Sequence, residues 1–173
     1  MKKGSMAIML AALLVATIVG VVWARPNQSP QAADITRKIT IPAAFFHPRE
    51  EGLDWSNDGA GMAVDSGSGI FTAPVVFPTL SAVTVKKITL SVEDHNGSAD
   101  ACVTLYRTSP KNLTQVSMAL ACSSGSWGGP TSYDDDSINN AVVWPAHGPY
   151  LWLEIAGTNI IVYGVTIEYQ RNT

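Results

Sequence analysis

The chain predicts an all-β fold: an antiparallel β-sandwich of about eight or nine strands, jelly-roll-like in arrangement and holding one disulfide, with a barrel as the lesser alternative. Three observations carry that expectation. From about Ile35 onward, apolar and polar residues alternate at the period of two that a half-buried strand requires. Gly, Pro, Ser and Asn break these runs at short intervals, as strand connections do. No convincing amphipathic helix interrupts them.

The chain divides into three parts: residues 1–24, 25–36 and 37–173. Lys2 and Lys3 precede an apolar stretch from Met6 to Trp23, and Val22-Trp23-Ala24 forms a small-residue boundary, so residues 1–24 read as a cleaved signal peptide. A retained membrane anchor is the alternative, because the 21 residues from Gly4 to Ala24 carry no charge and are long enough to span a bilayer. Arg25 followed by Pro26 breaks any helix continuing outward. Residues 25–36, with two Pro and two Gln in their first part, read as a flexible leader.

Residues 37–41 form the first expected strand, ended by Pro42 and able to pair with its own sheet or add to a neighbour's edge. Residues 61–64 and 70–77 follow. Next, Ile88, Leu90 and Val92 alternate with Thr89 and Ser91, while Val83 and Val85 sit in the opposite phase. A one-residue slip turns a whole apolar set to solvent, so the Lys86-Lys87 pair is expected to mark a bulge or a change of role. Residues 101–107 and 113–122 form a hairpin about the turn Ser109-Pro110-Lys111-Asn112. Folding it at Asn112 sets Cys102 opposite Cys122, Thr104 opposite Leu120 and Tyr106 opposite Met118.

Residues 141–144 form a short strand. Leu151, Leu153 and Ile155 alternate, as do Ile161, Tyr163, Val165, Ile167 and Tyr169, and a five-residue loop containing Gly157 would join them as a hairpin. In that register Trp152 lies opposite Gly164 and Tyr150 opposite Thr166, an aromatic ring covering a strand glycine.

The 149 residues beyond Ala24 suit one domain, and no internal repeat is visible. The formal charge of −3 becomes −5 without Lys2 and Lys3, since all 14 acidic but only nine of the 11 basic residues lie beyond the signal. With no basic cluster to track phosphates, nucleic acid is not an expected partner. Cys102 and Cys122, the only cysteines of an exported chain, form a structural staple. Neither Cys-x-x-Cys nor a neighbouring base points to redox chemistry.

Candidate site residues are few. Trp55, Trp127 and Trp144 sit in turn-rich sequence, and with Trp152 they are the candidate platforms for stacking on sugar rings; packing is the competing role for Trp152. Asp134, Asp135 and Asp136, followed by Ser137, Asn139 and Asn140, are a dense oxygen set that suits calcium, although the EF-hand order is absent and a solvated loop is the plainer reading. Asp54, Asp58 and Asp65 are a weaker second set. His47, His95 and His147 belong to no metal or nucleophile motif, and Gly67-Ser68-Gly69 precedes no helix, so catalysis is not expected. Asn27, Asn96 and Asn112 begin glycosylation sequons whose other reading is turn chemistry.

Lys38-Ile39-Thr40-Ile41-Pro42-Ala43, Val103-Thr104-Leu105-Tyr106-Arg107, residues 150–155 and Tyr163-Gly164-Val165-Thr166-Ile167-Glu168-Tyr169, in this order, resemble small secreted bacterial single-domain β-sandwich proteins of uncharacterised function. The resemblance covers most of the chain after residue 24 and implies fold and export, and it transfers no functional residue. The expectation is an exported, non-enzymatic surface or extracellular binding module, with a glycan or cell-surface component as partner. The alternative is a self-assembling surface or filament subunit that uses the segment before Pro42 as an added strand. A membrane is a partner only if residues 1–24 are retained.

Overall fold

The computed structural model describes residues 35–125 and 128–172. The expected signal or anchor (1–24), all of the leader except Ile35 and Thr36, and Trp127 lie outside the described residues. In chain order the strands are β1 (Arg37–Pro42), β2 (His47–Pro48), β3 (Trp55–Asn57), β4 (Met62–Val64), β5 (Gly69–Pro74), β6 (Val83–Asp94), β7 (Ala101–Ser109), β8 (Thr114–Cys122), β9 (Thr131–Asp135), β10 (Val142–Val143), β11 (Gly148–Ile155) and β12 (Ile160–Arg171). A single 3-10 turn, Ala43–Phe45, follows β1.

The strands form two antiparallel sheets with separate edges, a sandwich and not a barrel. The larger sheet is built on β6 and β12. The other edge of β12 pairs with β1 over residues 164–169 and with β4 at Val162, β3 lying beyond β4. The other edge of β6 takes β9 and β10. The smaller sheet runs β2-β5-β11-β7-β8. Alternation then builds the core. Ile88, Leu90, Val92, Val165 and Ile167 from one sheet are fully buried, as are Phe71, Val103, Leu105, Leu151 and Leu153 from the other.

Three bulges place the apolar residues. Lys87 opposes Glu168 and Val85 opposes Tyr169, so Lys86 is the extra residue, and Val83 and Val85 join Ile88 and Leu90 on the core face, as the phase change predicted. In β8, Ala119 opposes Leu105 and Ser117 opposes Tyr106. Met118 is therefore extra and points inward beside Ala119, which corrects the expected pairing of Tyr106 with Met118; Cys102–Cys122 and Thr104–Leu120 pair as predicted. The disulfide joins Cys102 and Cys122 across β7 and β8.

The third bulge overturns an expectation. Val162 opposes Val92 and Gly164 opposes Ser91, so Tyr163 is extra and turns outward, and Ile160 and Val162 are buried where Ile161 and Tyr163 were expected. The larger correction concerns the final hairpin: β11 and β12 belong to different sheets. Both edges of β11 are occupied by β5 and β7, and the 156–159 connection carries the chain across the sandwich. It is bolted to the 95–100 crossover: the N–H of Ala156 donates to the Asp100 carbonyl (3.0 Å), that of His95 to the Asn159 carbonyl (2.9 Å), and the Asn96 amide to the Thr158 carbonyl (3.0 Å). Asn96 also serves its own turn, its Oδ1 accepting the N–H of Ser98 (3.0 Å).

Among the described residues, twelve strands stand where eight or nine were expected. The short β2, β3 and β9 fall in sequence read as loops. β1 pairs with β12 from Arg37–Tyr169 to Pro42–Gly164, so this strand belongs to its own sheet. Among the described residues no helix is long and apolar enough to cross a membrane.

Candidate functional site: an aromatic sheet face

The outer face of the smaller sheet is set by the phase that buries Leu151 and Leu153. Tyr150 and Trp152 must then point outward from β11. Register places their neighbours: Trp152 lies between Thr72 of β5 and Thr104 of β7, and Tyr150 between Pro74 and Tyr106. These partners replace the Gly164 and Thr166 expected from sequence. The rings of Tyr106 and Tyr150 stack with centroids 5.4 Å apart and planes inclined by 19°.

Arg49, one residue beyond β2, is held by its N–H bond to the Ile70 carbonyl (2.9 Å), and its guanidinium lies 4.5 Å from the centre of the Trp152 ring, a cation–π contact. Arg49, Thr72, Pro74, Gln115, Tyr150 and Trp152 line one open hollow of ≈ 510 Å³. Burial, then the neighbouring Tyr106, pushes the Tyr150 hydroxyl above the ordinary phenol value, so it remains a protonated donor at neutral pH. The face thus offers flat apolar rings beside a fixed cation, an amide and hydroxyls. Such a surface stacks on the apolar face of a ring and hydrogen-bonds its rim.

Trp55 and Trp144, two of the other predicted platforms, lie elsewhere. Trp55 meets Phe71 edge-on at 5.4 Å and 64° and packs against the core. Trp144 is 57% exposed on a different hollow, with Val76 and Leu80. Trp55, Trp144 and Trp152 therefore do not converge, and the residues that accompany Trp152 are Tyr150, which the sequence set on the same face without making it a platform, and Tyr106, which it did not single out. Alternation alone puts Tyr150 beside Trp152; Tyr106 needed the pairing of β11 with β7.

The expected calcium ligands are also dispersed. Asp134 and Asp135 lie on β9, where successive side chains point to opposite faces. Asp134 accepts from Lys87 (3.1 Å) and is held below the ordinary carboxylate range chiefly by a hydrogen bond from Thr89. Asp135 accepts the N–H of Leu120 (2.7 Å) and of Ser137 (2.8 Å). Asp58 caps its own turn through the N–H groups of Ala60 and Gly61, which lower its pKa, and Asp65 accepts from Ser56. Among the described residues, no three His, Cys, Asp or Glu side chains converge as a metal site.

The histidines serve local structure. His147 Nδ1 accepts the N–H of Trp144 (3.2 Å), and burial pushes its pKa down. His95 meets Glu93 at 2.7 Å, and Tyr163 donates to the same carboxylate at 2.6 Å. The His95 side chain is 44% exposed on open surface.

No family model matches this chain, and no curated protein matches it. Solved structures resemble it weakly. A xylan-binding module of family 15 is 14% identical, the match covering 80% of this chain and 100% of that one with a TM-score of 0.48. A family 6 carbohydrate-binding module from Clostridium stercorarium, solved with cellobiose, is 13% identical over 73% of this chain and 90% of that one, with a TM-score of 0.48. A two-module piece of a Clostridium thermocellum xylanase with xylohexaose is 14% identical, with a TM-score of 0.48; the match covers 81% of this chain and only 28% of that one. At these scores and identities the fold assignment rests on the strand pairing itself, and no function is taken from the resemblance.

Proposed function

We propose that this chain is an exported, non-enzymatic glycan-binding module whose site is the outer face of the β2-β5-β11-β7-β8 sheet. One observation carries the reading: Tyr106, Tyr150 and Trp152 present their rings on one partly exposed face, and Arg49, Gln115 and Thr72 supply hydrogen-bonding groups around them. A β-sandwich needs apolar side chains only on its inner face. Three adjacent aromatics on the outer one exceed what the fold requires. A sugar ring combines an apolar C–H face with a rim of hydroxyls, and this arrangement complements both. Trp152 is retained from the four predicted platforms, while Trp55 is committed to packing.

The test is a glycan array followed by calorimetry on the chain and on its Tyr150→Ala and Trp152→Ala variants. A saccharide bound by the parent and at least about tenfold weaker by either variant supports the site, a factor of ten being about 1.4 kcal/mol. Binding that both variants retain would place the site elsewhere, and no binding on a broad array would overturn the reading.

A further inference from the structure

Charge and apolar exposure are sorted along the strands. One end of the sandwich is formed by the last residues of β5, β7 and β12 and the first of β1, β6, β8 and β11; the two sheets meet there around Pro74, Val83, Val143 and Pro149. Every described basic side chain except Arg49 lies on that half. Lys38 and Lys87 are ion-paired with Glu168 and Asp134, but Arg37, Lys86, Lys111 and Arg171 are exposed and belong to no described ion pair. The opposite end gathers Glu50, Glu51, Asp58, Asp65, Glu93 and Asp100. Asp134 and Asp135 pair with Thr89 and Ile88 at the middle of β6 and Asp136 follows them toward the basic half, so with Glu168 four described acids share it with seven basic side chains, and that half stays net positive, one basic pole in a chain acidic in total.

The same pole exposes apolar side chains. Of the seven large apolar residues most open to solvent among the described residues, five lie here: Ile35 (66%), Val76 (79%), Leu80 (96%), Leu113 (91%) and Trp144 (57%). They come from four separate segments: the start of the domain, the 75–82 loop, the β7–β8 turn and the 144–147 loop. Leu113 stands out further, because its φ of 52° is a conformation that Gly or Asn adopts more cheaply. The hairpin carries a strained, exposed leucine at its tip where a turn alone calls for neither.

We propose that this pole docks on an anionic lipid surface, with Leu80, Leu113 and Trp144 entering the headgroup region and Arg37, Lys86, Lys111 and Arg171 facing the lipid charges. Apolar tips ringed by cations are what interfacial binding uses, each basic side chain near the surface adding to it. The opposite, acidic pole would be repelled, so the field also sets orientation. Docked this way, the Tyr106–Tyr150–Trp152 face stands to the side and stays open.

The test uses the full chain in vesicles. Residues 4–24 can partition by themselves, so the readout is the depth of Trp144 and not binding. The emission difference between the chain and its Trp144→Phe variant isolates this ring, and brominated acyl chains quench it on contact. Quenching by about half or more in phosphatidylglycerol vesicles is expected, with little in phosphatidylcholine and a loss on adding salt, since surface attraction decays within a Debye length. Lys86→Glu with Arg171→Glu, and separately Leu80→Ser with Leu113→Ser, should each abolish the quenching without moving the melting temperature, these side chains being exposed. Quenching that ignores lipid charge and both double variants would overturn the proposal, as would none in any vesicle. A dimer seen by light scattering and lost in Leu80→Ser would also overturn it, assigning the patch to a second copy.

Discussion

The Ser123 hydroxyl donates to Asp94 at 2.6 Å inside the protein, where Asp94 is 2% and Ser123 1% exposed. The contact joins the last residue of β6 in one sheet to the residue following β8 in the other. Ser123 Oγ also accepts the N–H of Ala101 (2.8 Å), and the other Asp94 oxygen accepts the N–H of Asn96 (2.9 Å), so the β6–β7 crossover is tied at both ends. A buried carboxylate is tolerable only with such partners.

Ser123→Ala therefore leaves a carboxylate oxygen and a backbone N–H unsatisfied together. The expected loss is about 3 kcal/mol, measured by urea unfolding. An unchanged unfolding midpoint would show that the two sheets do not depend on this tie.

Gly164 is required by its neighbour as well as by its backbone. Its φ is 154°, and a Cβ there would lie 2.6 Å from the Ile41 carbonyl oxygen of β1. Gly164→Ala is expected to push β1 away from β12, costing more than about 1 kcal/mol. Amide exchange at Ile39 and Ile41 should accelerate far more than at Ile88 or Leu90, and equal acceleration would show that β1 is not a separable edge.

The outer end of that pairing should respond to pH. Lys38 lies 2.8 Å from Glu168, and its hydrogen bond holds the Glu168 carboxyl below the ordinary value. A carboxyl whose pKa is lowered by folding stabilises the fold above its unfolded pKa, and that contribution disappears as pH falls through the lowered folded value. Lys38→Met should lower stability modestly at neutral pH and leave it nearly unchanged well below the lowered Glu168 pKa, which flattens the acid limb of a stability–pH curve. An acid limb unchanged by the substitution would remove this pair as its source.

Cys102 and Cys122 close a loop with a sequence separation of 20. Reduction is expected to lower stability by about 3 kcal/mol in the chain-entropy model, read as a shift in the denaturant midpoint. The pair lies on the outer face, one register step from the row of Trp152 and Thr104, so glycan affinity should fall less in the reduced chain than in Trp152→Ala. A larger fall on reduction would mean that the bridge shapes the platform.

Within the platform, Arg49 should act through its planar cation. Arg49→Ala is expected to weaken glycan binding about tenfold. Arg49→Lys should recover only part, because an ammonium lacks the flat guanidinium that lies over Trp152. Full recovery by lysine would reduce the contribution to charge alone.

What sequence determined by itself was local. Alternation marked most of the strands, the opposed phases of Val83–Val85 and Ile88–Val92 located the Lys86 bulge, and the turn after Ser109 set Cys102 against Cys122, because side-chain period and turn chemistry act over a few residues. The Tyr163 bulge was hidden, since Ile161 and Tyr163 keep an apolar pattern while facing outward. Only the tertiary structure decided that β11 pairs with β5 and β7 and not with β12. Strand pairing between distant segments depends on which edges remain free once the sandwich has closed, and no local pattern records that. The aromatic face followed from that choice, as did the basic pole, whose cations are scattered through the sequence from Arg37 to Arg171 and are gathered only where strand ends meet.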